Sequence, residues 1–482
     1  MRGKAPLWLG LAAFLAGCNL APDYKVPATP PVTVFKEEGI WTEATPQDAL
    51  PRSAWWEIYG DAALNGLENQ IEGGNPTLAE ALARYDAAQG FLTEAQSGLF
   101  PQLGLGGHAD TDKQSANRPL RSANQPTYYG DNMAAAAVSW DIDLWGRIRN
   151  EVAAGKAEAQ SAYADLAAVR LSLEVRLAND YLELRGLDAE VKLLGDTVAI
   201  YDKAYKLTNY RHEQGIASGL DLGRAQTQLS AAQAQLADVL AHRALFEHAI
   251  ASLVGTPASN FSIASTVVAL KVPNIPAGMP STLLQRRPDV AAAERLVAAS
   301  NAGIGVARAA FFPDLSLSAL IGFQNTGGNP LFTAPNAFWA LGPTAALTVF
   351  DAGRHEGELD VAKAENATAT AAYRATVLKA FQDVEDNLVL LNQLATEADA
   401  QSNAVTSAVR TENLALALYQ NGALNFLDVV VAQTTALEAQ QTQIGIITRR
   451  LEASVGLIGA IGGGWSAQQV PDIAQLSGNK PG

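Results

Sequence analysis

The chain repeats itself, and this constrains its fold more than any other property of the sequence. Gln96-Ser97-Gly98-Leu99-Phe100-Pro101-Gln102-Leu103 is echoed by Arg308-Ala309-Ala310-Phe311-Phe312-Pro313-Asp314-Leu315, an offset of 212 residues. Asn75-Pro76-Thr77-Leu78 is echoed by Arg287-Pro288-Asp289-Val290 at the same offset. Gly146-Arg147 pairs with Gly353-Arg354 at an offset of 207, and 215–226 pairs with 422–433, Leu220-Asp221 meeting Leu427-Asp428. One length change of five residues in a single loop reconciles the two offsets. Self-similarity of this kind means two copies of one supersecondary unit.

Each copy reads the same way. A helical stretch (73–99, and 281–311) is stopped by Pro101 or Pro313, since proline cannot continue a helix. Strand-like segments follow near 102–110 and 130–141, then near 314–323 and 338–350. The alternation is clearest where Leu315, Leu317, Ala319, Ile321 and Phe323 interleave with Ser316, Ser318, Gly322 and Gln324. Polar tips at 112–127 and 325–336 separate each pair. Pro343 falls inside the last strand, where it must forgo a ladder bond. After each hairpin comes a very long helical pattern, 151–212 and 356–421, then a turn at Gly215 to Gly219 or Gly422 to Asn425, then a return helix. Sevenfold spacing runs through Leu177, Leu184, Val191 and Val198, and through Val430, Leu437, Ile444, Leu451 and Ile458, as along a coiled-coil seam. In each copy the short helix and the return helix together match the long one, so they can stack end to end beside it over roughly 90–100 Å.

Hydrophobic residues make up 48 % of the 482, enough for a packed core, yet no apolar run of 18 follows the first 20 residues. Such a chain can cross a bilayer only as a closed barrel, because lipid leaves no other way to satisfy backbone polar groups. Four strands cannot close one. Two chains would give about eight strands and a barrel filled by its own side chains, whereas three give twelve and a lumen. The net charge of −15 excludes nucleic acid as a partner.

The N-terminus reads as a secretory signal. Arg2 and Lys4 precede an apolar core from Leu7 to Ala16, and Leu15-Ala16-Gly17-Cys18 matches a bacterial lipobox. Residues 1–17 are then a signal peptide and Cys18, the one cysteine, is the lipid attachment point. Residue 19 is Asn rather than the inner-membrane retention signal Asp, which directs the chain to the outer membrane. Beyond that covalent lipid, no cofactor is called for. His108, His212, His242, His248 and His355 show no metal-ligand spacing, and no nucleophile elbow or phosphate loop occurs. The chain reads as a non-enzyme. Trp55, Trp56 and Tyr59 suit packing at mid-height, whereas Trp140, Trp339 and Tyr129 suit an aromatic girdle.

In order and spacing, Trp55-Trp56-Glu57-Ile58-Tyr59-Gly60-Asp61, Asn75-Pro76, Asp143-Leu144-Trp145-Gly146-Arg147, Arg286-Arg287-Pro288-Asp289-Val290, Phe312-Pro313, Phe350-Asp351-Ala352-Gly353-Arg354, Leu253-Val254-Gly255 and Gly462-Gly463-Gly464-Trp465 resemble the TolC-like outer-membrane efflux factors. The likeness is to the lipoprotein (NodT-type) branch that serves resistance-nodulation-division pumps. The resemblance implies a mainly α fold with a transmembrane β part: a homotrimer whose twelve-stranded barrel continues into a periplasmic helical barrel. It implies a passive duct for small molecules that docks to a periplasmic adaptor and an inner-membrane pump. The organisation expected is a lipid-anchored segment at 18–72, a first repeat at 73–255 and a linker at 256–280, then a second repeat at 281–461 and a tail at 462–482. The β-hairpins fall at 101–141 and 313–350. The helical hairpins fall at 151–255 and 356–461, with tips at 215–221 and 422–428.

In that family the tip is a gate. Asp428 matches a gate aspartate, Asp221 a linking aspartate and Tyr419 a tyrosine of the closed state, while Val431 and Leu424 stand where a second aspartate and a linking arginine would be. Gly215, Gly219, Gly422 and Asn425 form the tip turns that would meet the adaptor. Both aspartates also read as helix-capping acids, three residues after Ser218 and Asn425, and the two roles are compatible. A type I protein-secretion duct shares the architecture, and a trimeric coiled-coil surface adhesin is the alternative from another class.

Overall fold

The computed structural model describes residues 19–29, 32, 34–37, 54–118, 122, 124–268, 271–273, 275 and 286–471. The signal peptide, Cys18 and the end of the tail lie outside them. Among the described residues are α1 (Ala62–Gly74), α2 (Pro76–Ser97), β1 (Gln102–Lys113), β2 (Tyr128–Asp141), α3 (Arg147–Glu213) and α4 (Gly219–Leu253). The second copy follows as α5 (Pro288–Ala309), β3 (Asp314–Asn325), β4 (Ala337–Ala346), α6 (Arg354–Gln420) and α7 (Phe426–Ala460). α3 and α6 each have 67 residues, about 100 Å at 1.5 Å per residue.

Several boundaries differ from those read in the sequence. α1 occupies ground assigned to the N-terminal segment, so the boundary at 72 cuts a helix. Asp61 caps α1, accepting from the N–H groups of Ala63 and Leu64 at 2.8 and 3.2 Å, and Leu64, Leu67 and Ile71 bury one face. α2 therefore starts at Pro76, not 73, and the described part of α5 starts at Pro288, not 281. α3 and α6 start at Arg147 and Arg354, earlier than 151 and 356, because Gly146 and Gly353 take positive φ and turn the chain into the helix there. β4 stops at Ala346 rather than 350.

The stacking of short on return helix is visible at two joints. At the first, the Asn75 Oδ1 accepts from the Thr77 and Leu78 N–H groups while its Nδ2 donates to the Leu253 carbonyl at 2.8 Å. One side chain thus caps the start of α2 and satisfies the end of α4. At the second joint Arg287 takes this place, donating to the Ala460 carbonyl at 3.2 Å and to Asp289 and Asp383 at 2.6 and 3.2 Å. The backbones come so close that a Cβ on Gly255 would lie 1.9 Å from the Gly74 carbonyl oxygen, and one on Gly462 1.9 Å from that of Arg286. Both glycines also have positive φ, so the joints admit nothing larger.

The main core lies at this height. Trp55, Trp56, Tyr59, Leu64 and Ile71 pack with Leu177, Tyr181, Leu184, Ile250, Val377, Leu388 and Val455. Trp55 donates to Glu174 at 3.1 Å and Tyr59 shares a hydrogen bond with Ser454 at 2.7 Å, so these rings pack at the equator and not at a lipid interface. Above it the four strands form one antiparallel sheet in the order β1-β2-β3-β4, with Pro343 on the edge strand β4, where its missing N–H faces no neighbour in the chain. The N-terminal segment runs against α5 and α6. Arg308 donates to the Leu20 carbonyl at 3.0 Å, Asn301 to that of Pro22 at 2.8 Å, and Glu385 accepts from the Lys36 and Glu37 N–H groups.

Candidate functional site: a one-sided sheet and paired helical tips

The strand register sorts the sheet into two unlike faces. One carries Leu103, Leu105, Val138, Trp140, Leu317, Ala319, Ile321, Trp339 and Leu341, with Ile321 opposite Trp339 and Val138 opposite Ala319. The other carries Gly104, Gly106, Ala135, Ala137, Ser139, Ser316 and Ser318, with His108, Asp131 and Gln324 toward the tip and Met133, Leu320 and Phe338 as its large apolar residues. Alternation of apolar and small or polar residues is what a strand needs with lipid on one side and water on the other. Tyr129, paired with Asp112, is half-buried on the face opposite Trp140 and Trp339, so it does not join the girdle tryptophans as the sequence suggested; Trp339 is exposed. Among the described residues the outer edges of β1 and β4 are unpaired. Among the described residues no helix is long and apolar enough to cross a membrane, so the sheet is the part suited to lipid.

At the far end two turns are built alike. Gly215 and Gly422 take φ of 73° and 74°, and the N–H groups of Ile216 and Ala423 reach back to the Arg211 and Leu418 carbonyls at 2.8 and 2.9 Å. Ser218 accepts from the Asp221 N–H at 3.1 Å and donates to its carboxylate at 2.8 Å, and Arg224 lies 3.6 Å from the same group. Asn425 accepts from the Asp428 N–H at 3.1 Å, leaving the Asp428 side chain exposed. Gly219 opens α4 directly after the cap. Tyr419 packs against Phe426 in a tilted ring contact at 5.4 Å and takes the Arg211 guanidinium over its ring at 5.3 Å, tying the first hairpin to the second. Leu424 packs with Val429, Ala415 and Ala225, so an apolar cluster stands where a linking arginine would be. Val431 is exposed.

The outer membrane efflux protein model matches residues 67–256 and 279–463, one block per repeat. The chain belongs to this family. It is similar to the toluene efflux pump outer membrane protein TtgC of Pseudomonas putida, 30 % identical over 483 residues and 99 % of both chains. It is also similar to the cation efflux system protein CusC of Escherichia coli, 28 % identical over 94 % of this chain and 97 % of that one. A crystal structure of a membrane protein from Pseudomonas aeruginosa superposes with a TM-score of 0.85 at 28 % identity, covering 93 % of this chain and 98 % of that one. The protein is an outer-membrane efflux channel subunit with a TolC-like fold. Two internal hairpins in one sheet also leave no room for the single terminal barrel segment of an adhesin.

Sequence reasoning missed two features of this channel subunit. Glu68 in α1 is buried with neither carboxylate oxygen partnered, and burial, then the nearby Glu174, push it up to about 10. Glu183 in α3 and Glu452 in α7 meet across the two repeats, and burial followed by repulsion from Glu183 raises Glu452 to about 7. Glu183 is raised chiefly by burial. Neither pair has a sequence signal, because each forms between elements far apart along the chain.

Proposed function

We propose that three copies of this chain close a twelve-stranded barrel in the outer membrane and a helical barrel in the periplasm, forming a passive duct for small molecules. The observation that carries this is the four-stranded sheet with one apolar face and two unpaired edges, a structure that only closure makes compatible with lipid. Energy would come from an inner-membrane resistance-nodulation-division pump, linked by a periplasmic adaptor that meets the tip turns at Gly215, Gly219, Gly422 and Asn425. A groove of about 600 Å³ between α4 and α7, lined by Tyr201, Leu220, Arg224, Gln228, Val430 and Leu437, lies beside those turns. The duct needs no cofactor and performs no catalysis.

The path of the N-terminal segment supports acylation at Cys18. Leu20 is held at the last turn of α5, one short turn before Pro313 and β3, so a lipid two residues earlier would sit at the base of the barrel, where the inner leaflet lies. The organisation into segments 18–72, 256–280 and 462–482 around two repeats belongs to the same reading. At the tip, three copies of Asp428 would form a ring that attracts cations, with Asp221 and Tyr419 holding neighbouring helices and Val431 contributing no charge. Drug accumulation in a deletion strain tests the function: higher accumulation of at least one compound, reversed by the wild-type gene, is the expected result. Unchanged accumulation of every compound, together with a monomeric purified protein, overturns it.

A further inference from the structure

We propose that the inner wall of the helical barrel, just below the sheet, carries a groove that holds amphipathic organic cations in transit, one groove per copy of the chain. This rests on the trimeric duct reading above. The groove has a volume of about 510 Å³ and lies across α2, α3, α5 and α6. Drug-sized ligands occupy sites of roughly 300–1,000 Å³, so the space suits a small organic molecule rather than a bare ion.

Two observations place the groove on the water side of the wall. Gly303, Val306, Ala307 and Ala310 form its α5 stripe, and at 3.6 residues per turn they lie on the side of the helix away from Asn301, Gly305 and Arg308. That other side holds the N-terminal segment. Asn301 and Arg308 donate to the Pro22 and Leu20 carbonyls, and a Cβ on Gly305 would lie 2.7 Å from the Ala21 Cβ. An acylated Cys18 must reach the bilayer that surrounds the duct, so the opposite stripe faces inward. At the top of the groove Arg147 reaches Asp141 at 3.4 Å, and Asp141 continues the sheet face of Ala137 and Ser139, the face turned from lipid. The duplication agrees: Gly303 and Ala307 occupy the places of Phe91 and Ala95, and Glu358 that of Glu151, so equivalent faces of both repeats line one groove.

Its lining combines an apolar floor with uneven charge. Phe91 is 64 % exposed, and Val306, Ala95, Ala154 and Ala307 share the groove with it. The first repeat supplies a ring where the second has Gly303, and nothing lies within 4 Å of a Cβ built on that glycine. Glu151 is neutralised by Arg147 at 2.9 Å and Glu358 by Arg354 at 3.0 Å. Glu158 is exposed, and among the described residues no cation stands within ion-pair distance of it. An exposed ring, a bare apolar strip and one uncompensated carboxylate suit a molecule with an apolar body and a positive charge. A hydrophilic cation gains nothing from the floor, and an apolar anion is repelled by Glu158. Attraction between charges in water is modest, so the groove releases what it holds, as a passage requires.

The chain has one cysteine, Cys18, so a thiol introduced in the groove can be followed by itself, with the wild type as background. Gly303→Cys fits the open space without displacing a neighbour. The full-length protein, purified in lipid nanodiscs, is modified with a membrane-impermeant maleimide in the presence of one of three probes. Benzyltriethylammonium carries both features, tetraethylammonium the charge alone, and benzenesulfonate an apolar ring with the opposite charge. The first is expected to slow modification severalfold and the other two to leave it unchanged. Glu158→Gln in the same background is expected to weaken that protection about fivefold, the effect of one unit charge at about 4 Å in water. Phe91→Ala is expected to weaken it about threefold. Equal protection by all three probes, protection by none, or protection untouched by Glu158→Gln would overturn the proposal. So would a Gly303→Cys thiol that stays unreactive in an intact trimer. Native mass spectrometry on the same sample keeps the two readings apart, since a monomeric protein there overturns the trimeric duct itself.

Discussion

The two joints that stack short helices on return helices occupy equivalent places in the two repeats and are held by different chemistry. At the first, Asn75 spans the gap with a neutral amide, capping α2 and reaching the last carbonyl of α4. At the second, the equivalent residue is Arg287, a nearly buried guanidinium that binds the Ala460 carbonyl and is balanced by Asp289 and Asp383. Burial lowers the Arg287 pKa, but Asp289 and Asp383 more than restore it. Duplication preserves the geometric task, an orphan carbonyl beside a helix start, while each copy meets it with its own donor. The second joint is also bound to α6 through Asp383, so its failure spreads further than that of the first.

The largest effect separating the joints is therefore expected from Arg287→Ala. It removes the donor to Ala460 and leaves two carboxylates facing each other, a loss of about 3 kcal/mol, since breaking a buried pair is costlier than never having made it. Asn75→Ala removes a cap and one buried hydrogen bond, about 2 kcal/mol. Thermal dissociation of the purified oligomer measures both, and equal losses would erase the distinction. A third substitution probes the helix that precedes only the first joint. Glu68, pushed up to about 10, is neutral at pH 7 and has no partner, so Glu68→Leu should raise stability by roughly 1 kcal/mol.

The seam between repeats should be sensitive to pH. Glu452 is raised from 4.5 to about 7, so the native state holds a proton that the unfolded chain has already lost. The stabilisation is complete below pH 4.5 and disappears as pH rises to about 7. Glu452→Gln should flatten this dependence, and hydrogen exchange in α3 and α7 at pH 5 and pH 8 would show it. Identical profiles for wild type and variant would remove the pair from the seam. The smallest effects belong to the tips, where Asp221→Asn, with its Ser218 and Arg224 contacts, should lose about 0.5 kcal/mol. Asp428→Asn should change stability less than that but reduce cation preference in single-channel recordings, and unchanged selectivity would leave Asp428 with capping alone.

Much of this plan was legible in the sequence because duplication writes the same instruction twice. Pro101 and Pro313 mark helix ends, Gly215 and Gly422 mark the tips, and period-two alternation around Leu317 marks the sheet. What escaped was set by contacts rather than by local pattern. α1 hid because Asn75-Pro76 reads as the beginning of one helix, although Asp61 begins another. The carboxylate pair Glu183 and Glu452 joins helices whose sequences give no hint of each other, and the far end of β4 lacks within the chain the partner its alternation implies.

Toward its base, the strand face opposite the lipid side is rich in glycine, alanine and serine, from Gly104 and Gly106 through Ala135, Ala137 and Ser139 to Ser316 and Ser318, whereas His108, Tyr129, Asp131, Met133, Gln324 and Phe338 project nearer the tip. A bore walled by backbone is both wide and slippery. Near the base few side chains protrude to grip a passing molecule, so transit there would be governed by diffusion and girth, while the side chains toward the tip narrow the way out. Such a base imposes little taste of its own, and whatever discrimination the pathway shows must be exercised before cargo arrives there or at the charged and aromatic rim beyond it.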